Sequence, residues 1–189
     1  MWMVWVKRES LRNLISVEVK TAMNEKIYQK PWFWYAIAVV IVLLDQWSKI
    51  AVVKHFVVEG ASQEVTSFFN LVLAYNPGAA FNFLAEAGGW QRWFFGVIAI
   101  AASVFFSIWI YRSAATKTCE TFALAFVLGG ALGNLYDRIF LGHVVDFIQV
   151  HYQNTYYFPA FNLADSAITL GAIVLIVDML FSKEKKTNA

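Results

Sequence analysis

This chain is poor in charge and has a single cysteine. Only 15% of its 189 residues are Asp, Glu, Lys or Arg, which is scarce for a soluble domain, while 59% are apolar. The formal net charge of +2 gives no field for nucleic acid, and no basic cluster is interleaved with aromatics in the way a single-strand binder needs, so nucleic-acid partners are excluded. The lone cysteine, Cys119, excludes an internal disulfide and is expected in a cytoplasmic loop beside Lys117 and Glu120. His143 and His151 lack the paired spacing of a zinc helix, and no Cys/His cluster exists, so no metal site is expected. A Ser-His-Asp triad has no nucleophile elbow to support it.

What the chain does have is hydrocarbon and aromatic rings. Trp, Tyr and Phe make up 17% of it, as in proteins that pass through the aromatic belts of a membrane interface. Four stretches are long and apolar enough to span a bilayer, which takes about 20 helical residues. They run over 32–53, 90–111, 121–136 and 164–181. The third is broken by Gly129, Gly130 and Gly133, yet small residues so spaced let helices approach closely in lipid. A bundle of four transmembrane helices over 32–181 is the economical fold, since lipid demands internally satisfied backbone.

Basic residues set the orientation. Lys7, Arg8, Arg12, Lys20, Lys26 and Lys30 precede the first span, Arg112 and Lys117 separate the second from the third, and Lys183, Lys185 and Lys186 close the chain. Neither His55 to Gly89 nor Ile139 to Leu163 contains Lys or Arg. The positive-inside rule therefore places both termini in the cytoplasm, as an N-terminal extension over 1–31 and a basic tail over 182–189, with two longer segments outside over 56–89 and 139–161.

Those outer segments are not helical in pattern. Ser67 to Tyr75 is rich in β-branched and aromatic residues and runs into the turn-forming Asn76-Pro77-Gly78, and Val144-Val145-Asp146-Phe147-Ile148 reads similarly, so a small β-element at the membrane surface is expected. Residues 1–22 have no signal-peptide pattern. They read either as a surface-lying amphipathic helix built on Leu11, Leu14, Ile15 and Val17 or as an extension upstream of a start at Met23.

Polar residues inside apolar stretches are costly and therefore the candidates for function. Asp45 and Lys49, four apart, share a helix face and read as a self-neutralising structural pair. Asn134 shares a face with either Asp137 or Arg138, although those two neighbours point differently, and a network anchoring the helix end is the plain account. Asn162 followed three residues later by Asp165 is an ordinary helix start, which explains Asp165 unaided. Asp146, flanked by apolar pairs, still needs a partner. If the outer segment brings it against Asp165, the two carboxylates cannot both ionise comfortably, and the pair holds one acid and one base ready to activate water. The alternative is a small ion- or proton-coupled transporter, which would set carboxylates at several depths along a pore.

Five ordered blocks, Asp45-Gln46-Trp47-Ser48-Lys49, Asn76-Pro77-Gly78-Ala79-Ala80-Phe81, Gly133-Asn134-Leu135-Tyr136-Asp137-Arg138, Val144-Val145-Asp146-Phe147 and Phe161-Asn162-Leu163-Ala164-Asp165, resemble the motifs of bacterial lipoprotein signal peptidase, signal peptidase II. The resemblance implies a multi-pass inner-membrane aspartic endopeptidase, needing no cofactor, that removes the signal peptide from diacylglyceryl-modified prolipoproteins just before the lipidated cysteine. It implies that Asp146 and Asp165 are catalytic. Asn76, Gly78, Ala79, Asn134, Asp137, Arg138 and Asn162 would orient the pair and meet the substrate, with Asp45 and Lys49 structural. It also implies a periplasmic sheet cradling the substrate, an outer loop over the active site, contact with membrane lipids, sensitivity to globomycin, and a monomer. Pro77 and the N-terminal extension depart from the family pattern.

Overall fold

The structure, a computed structural model, describes residues 26–78, 88–153 and 155–187. The expected N-terminal amphipathic helix, the start at Met23 and the candidate Ala79 lie outside the described residues.

Pro31 opens the first long helix, where its missing N–H is harmless and its fixed φ suits the turn. This helix, α1 (Pro31–His55), buries Trp34, Ala38, Asp45, Lys49 and Val52 and exposes Val39, Val40, Leu43, Leu44 and Ile50. Its polar pair thus faces inward and its apolar side outward, the arrangement suited to hydrocarbon solvent. α2 (Gln91–Ser113) and α4 (Leu163–Thr187) also present apolar residues outward. α3 (Thr118–Phe140) is buried along most of its length and packs against the other three. All four are long and apolar enough to cross a membrane.

The third helix is longer than the 121–136 stretch that hydropathy delimits, because its small and polar residues face protein rather than lipid. A Cβ on Gly129 would stand 2.8 Å from Ile41 Cβ, and one on Gly130 would overlap the Ala164 carbonyl, so these glycines set the distance from α3 to α1 and α4. The same extension corrects the placement of Cys119. It lies in the first turn of α3, exposed, and not in a loop.

At one end of the bundle, Trp34, Ile110, Leu124 and Leu128 form a core. At the other sits a four-stranded antiparallel sheet in the order β1 (Ser62–Thr66), β2 (Phe69–Asn76), β3 (Val144–Tyr152), β4 (Tyr156–Tyr157). Val52 of α1 packs with Leu73, Val145 and Phe147 and seats the sheet on the helices. Gly142, at φ +86°, ends α3, its N–H returning to Asp137 O at 3.1 Å. The chain then enters β3, whose Asp146 pairs in register with Ala74. Ile148 and Phe161 exchange backbone bonds of 2.8 and 3.0 Å, tying the lead-in of α4 to the same strand.

Candidate active site

Lys49 is 2% exposed, and its ammonium lies 2.7 Å from Asp45 Oδ2, 2.7 Å from Asp137 Oδ2 and 3.0 Å from Asn134 Oδ1. An ammonium has three N–H donors, and all three are used. The pair read from the sequence is therefore the centre of a larger network. Asp45 Oδ1 accepts the Ala164 N–H at 2.9 Å, one of the amides left over at the start of α4. Asp137 accepts Gln46 Nε2 at 2.8 Å and the Val145 N–H at 3.3 Å. One buried cluster thus joins α1, α3, β3 and α4. Desolvating its charges costs several kcal/mol per ion unless each is bonded in this way.

The network also fixes the polarity of its amides. Lys49 can only donate, so Asn134 turns Oδ1 toward it and Nδ2 toward Asp165 Oδ1, at 2.7 Å. At the start of α4, Asn162 Oδ1 accepts the Asp165 N–H at 2.9 Å while Asp165 Oδ2 accepts the Asn162 N–H at 3.3 Å, a reciprocal cap. The Asn162 Nδ2 is left to donate to Asp146 Oδ1 at 2.7 Å. Asn76 closes the set: its Oδ1 takes the Gly78 N–H at 3.0 Å, and its Nδ2 donates to Asp146 Oδ2 at 3.2 Å. The cap reading of Asn162 and Asp165 and the site reading thus describe one arrangement.

Asp146 and Asp165 line a single cavity of about 690 Å³ together with Asn76, Asn134 and Arg138. One wall is apolar, from Ile168, Leu170 and Ile173 of α4 and from Phe158 to Phe161. Asp146, 3% exposed, is raised to about 7, first by burial and then by the charge of Asp165, against the amides of Asn76 and Asn162 and the more distant Lys49. Arg138 faces the same cavity, its Nη2 donating to Gly78 O at 3.0 Å and its Nη1 to Asn134 O at 3.3 Å. Asp137 turns the other way, to Lys49, as adjacent helix positions require.

A second cavity of about 380 Å³ shares Asn76, Asp146, Pro159 and Ala160 with the first and runs over β2 and β3. Asp146 therefore stands where a groove on the sheet meets an apolar cavity beside α4. Together these features can hold an extended peptide across a pair of carboxylates, one side in apolar surroundings. Two contributors were not singled out in the sequence. Gln46 bridges Asp137 and Gly133 O, and its signal is its place within the Asp45–Lys49 block; the wall from Phe158 to Phe161 shows in the sequence as apolar non-helical backbone, with Phe161 opening the last block.

The chain matches the family model described as Signal peptidase (SPase) II over residues 37–181. It is 59% identical to the lipoprotein signal peptidase of Cellvibrio japonicus (strain Ueda107), across 88% of this chain and 100% of that one. It is 53% identical to the lipoprotein signal peptidase of Pseudomonas aeruginosa (strain UCBPP-PA14), across 82% and 90%. Two bacterial membrane enzyme structures obtained by the in meso method are similar in fold. One has a TM-score of 0.72 at 32% identity, covering 82% of this chain and 91% of its own, and the other has 0.67 at 33%, covering 78% and 92%.

Proposed function

We propose a mechanism that proceeds from one premise: this chain belongs to the signal peptidase II family and is a multi-pass bacterial membrane hydrolase that cleaves the signal peptide from prolipoproteins. Asp146 and Asp165 are the catalytic pair. The observation that carries this reading is that both line one cavity while Asn162 bonds to each of them. With Asp146 raised to about 7, a shared proton is present in a substantial fraction of the protein at neutral pH and in more of it below. The ionised member takes a proton from water as it attacks the scissile carbonyl, and the protonated member supports the developing oxyanion. The pair then delivers a proton to the departing amine and is restored for the next turnover.

The substrate is a diacylglyceryl-modified precursor cut just before the lipidated cysteine. Its acyl chains and signal segment lie against the apolar wall of Ile168, Leu170 and Ile173, so it reaches the pair without leaving the bilayer. The enzyme sits in the inner membrane as a monomer with both termini cytoplasmic and the pair at the periplasmic face, which is where the cation-free outer segments belong. Globomycin, a cyclic peptide inhibitor of the family, occupies the same cavity. Asn76, Asn134, Arg138 and Asn162 orient the carboxylates and the substrate backbone. A transporter is disfavoured by the family assignment, and the gathering of Asp146 and Asp165 in one cavity speaks against it as well.

The test is incubation of purified protein with a diacylglyceryl-modified precursor, its unmodified counterpart, and the modified precursor plus globomycin. Cleavage of the modified precursor alone, blocked by globomycin, is the expected pattern. Equal cleavage of both precursors would refute the lipid requirement.

A further inference from the structure

The groove over the sheet is left over when the apolar cavity has been given its substrate. β1 begins at Ser62, opposite Val72, and Gly60 and Ala61 carry the backbone pairing only as far as Leu73, whereas β2 runs on to Asn76. Among the described residues, Ala74 and Tyr75 therefore have β3 on one side and no strand on the other. On that open side the Tyr75 N–H donates to Glu59 Oε1 at 3.4 Å, a long bond that a better acceptor would displace. Glu59, Gly60, Gln149 and the β2 edge line the groove, and it leads to Asp146.

Charge gives the groove a preference. Glu59 is exposed, and the outer segments 56–89 and 139–163 contain no Lys or Arg to neutralise it. His143, stacked on Tyr75 with ring centres 4.3 Å apart, is the neighbouring titratable group; burial holds it below the ordinary imidazole range, and the charges of Asp137 and Glu59 only partly oppose this. The imidazole is therefore largely neutral at pH 7.

We propose that this groove binds the first residues of the mature chain after the scissile bond, extended along the open edge of β2, and that Glu59 selects basic over acidic side chains there. A substrate carbonyl takes over the Tyr75 N–H, as in strand addition at a sheet edge, and frees the Glu59 carboxylate to meet the substrate side chain. The inference rests on reading Asp146 and Asp165 as the cleavage centre, because the groove ends at Asp146.

Two diacylglyceryl-modified precursor peptides, identical except for Lys or Glu at the second and third positions after the scissile bond, test it with the purified full chain. The wild type is expected to favour the Lys peptide by about threefold to tenfold in kcat/KM at low salt, with the ratio shrinking as salt screens the exposed charge. Glu59→Gln should bring the ratio close to one, and Glu59→Lys should invert it. Cleavage of both peptides with a ratio that neither substitution changes overturns the groove assignment and leaves the catalytic pair standing. Cleavage of neither peptide by folded wild type overturns the reading of the pair, and this inference with it.

Discussion

Asn162 donates its side-chain amide to Asp146 at 2.7 Å while its carbonyl oxygen caps the helix that carries Asp165. One side chain thereby couples the centre of β3 to the first turn of α4. The position of one carboxylate relative to the other depends on this link and on the parallel one from Lys49 through Asn134 to Asp165. Losing the cap costs about 1 kcal/mol of stability, but the larger consequence of Asn162→Ala is a pair no longer held together.

Asp146→Asn and Asp165→Asn should each abolish cleavage in protein that remains inserted, because an amide keeps the size but cannot exchange a proton. As members of one unit, the double variant should be scarcely worse than either single one. Asp45→Asn and Asp137→Asn, whose carboxylates are fully buried against Lys49, should retain measurable turnover. Substantial activity in folded Asp146→Asn beside a dead but folded Asp137→Asn would transfer the catalytic role to Asp137.

The pH profile of kcat/KM should fall on its alkaline side with an apparent midpoint near 7, where Asp146 gives up the shared proton. The same shift bears on stability. The folded value of about 7 lies above the ordinary 3.8, so the contribution of Asp146 is fully present below that ordinary value and is lost as pH rises through about 7. Asp146→Asn should flatten that part of an unfolding-midpoint curve in detergent; an unchanged slope would assign it to other groups.

Lys49→Met should be the most destabilising change in the buried network, since it leaves Asp45 and Asp137 without their ammonium, at about 3–5 kcal/mol. Adding Asp45→Asn and Asp137→Asn to it removes the stranded charges and should recover much of the thermal stability. A triple variant no more stable than Lys49→Met would show that charge balance is not what the lysine supplies.

Gly133→Ala should lower both thermal stability and activity, because its Cβ would stand 2.7 Å from Asp45 Oδ2. Gly96→Ala in α2 is the control. Its Cβ would meet nothing within 4 Å, and the helix interior gains about 0.5–1 kcal/mol from the exchange. Similar melting temperatures for the two variants would deny Gly133 its role.

Much of this protein could be read before any coordinates. Four spans followed from length and hydropathy, and the β-element from the pattern of Ser67 to Tyr75 and Val144 to Ile148. Hydropathy misjudged α3, because a helix surrounded by other helices needs no lipid-facing apolar surface and fills with glycine and polar residues instead. The five motif blocks contain the polar residues that the structure gathers around the candidate site, and helix spacing correctly predicted that Asp137 and Arg138 part company.

What the sequence by itself determined was the local: periods of 3.6 and 2, the cap at Asn162, the cation-free outer segments and the identity of the polar residues. The tertiary structure decided which of those residues touch. Lys49 looked committed to Asp45 because an i,i+4 contact lies within a single helix, yet it also reaches Asp137 and Asn134 across the bundle. Asp146 showed no partner in the chain around it, because its amide donors come from Asn76 and Asn162, on β2 and at the start of α4. Periodicity encodes which face of an element turns inward. It does not encode what that face meets, which depends on how α3 packs against its neighbours and where the sheet is seated, and these are set by glycine contacts and buried charge acting across the whole fold.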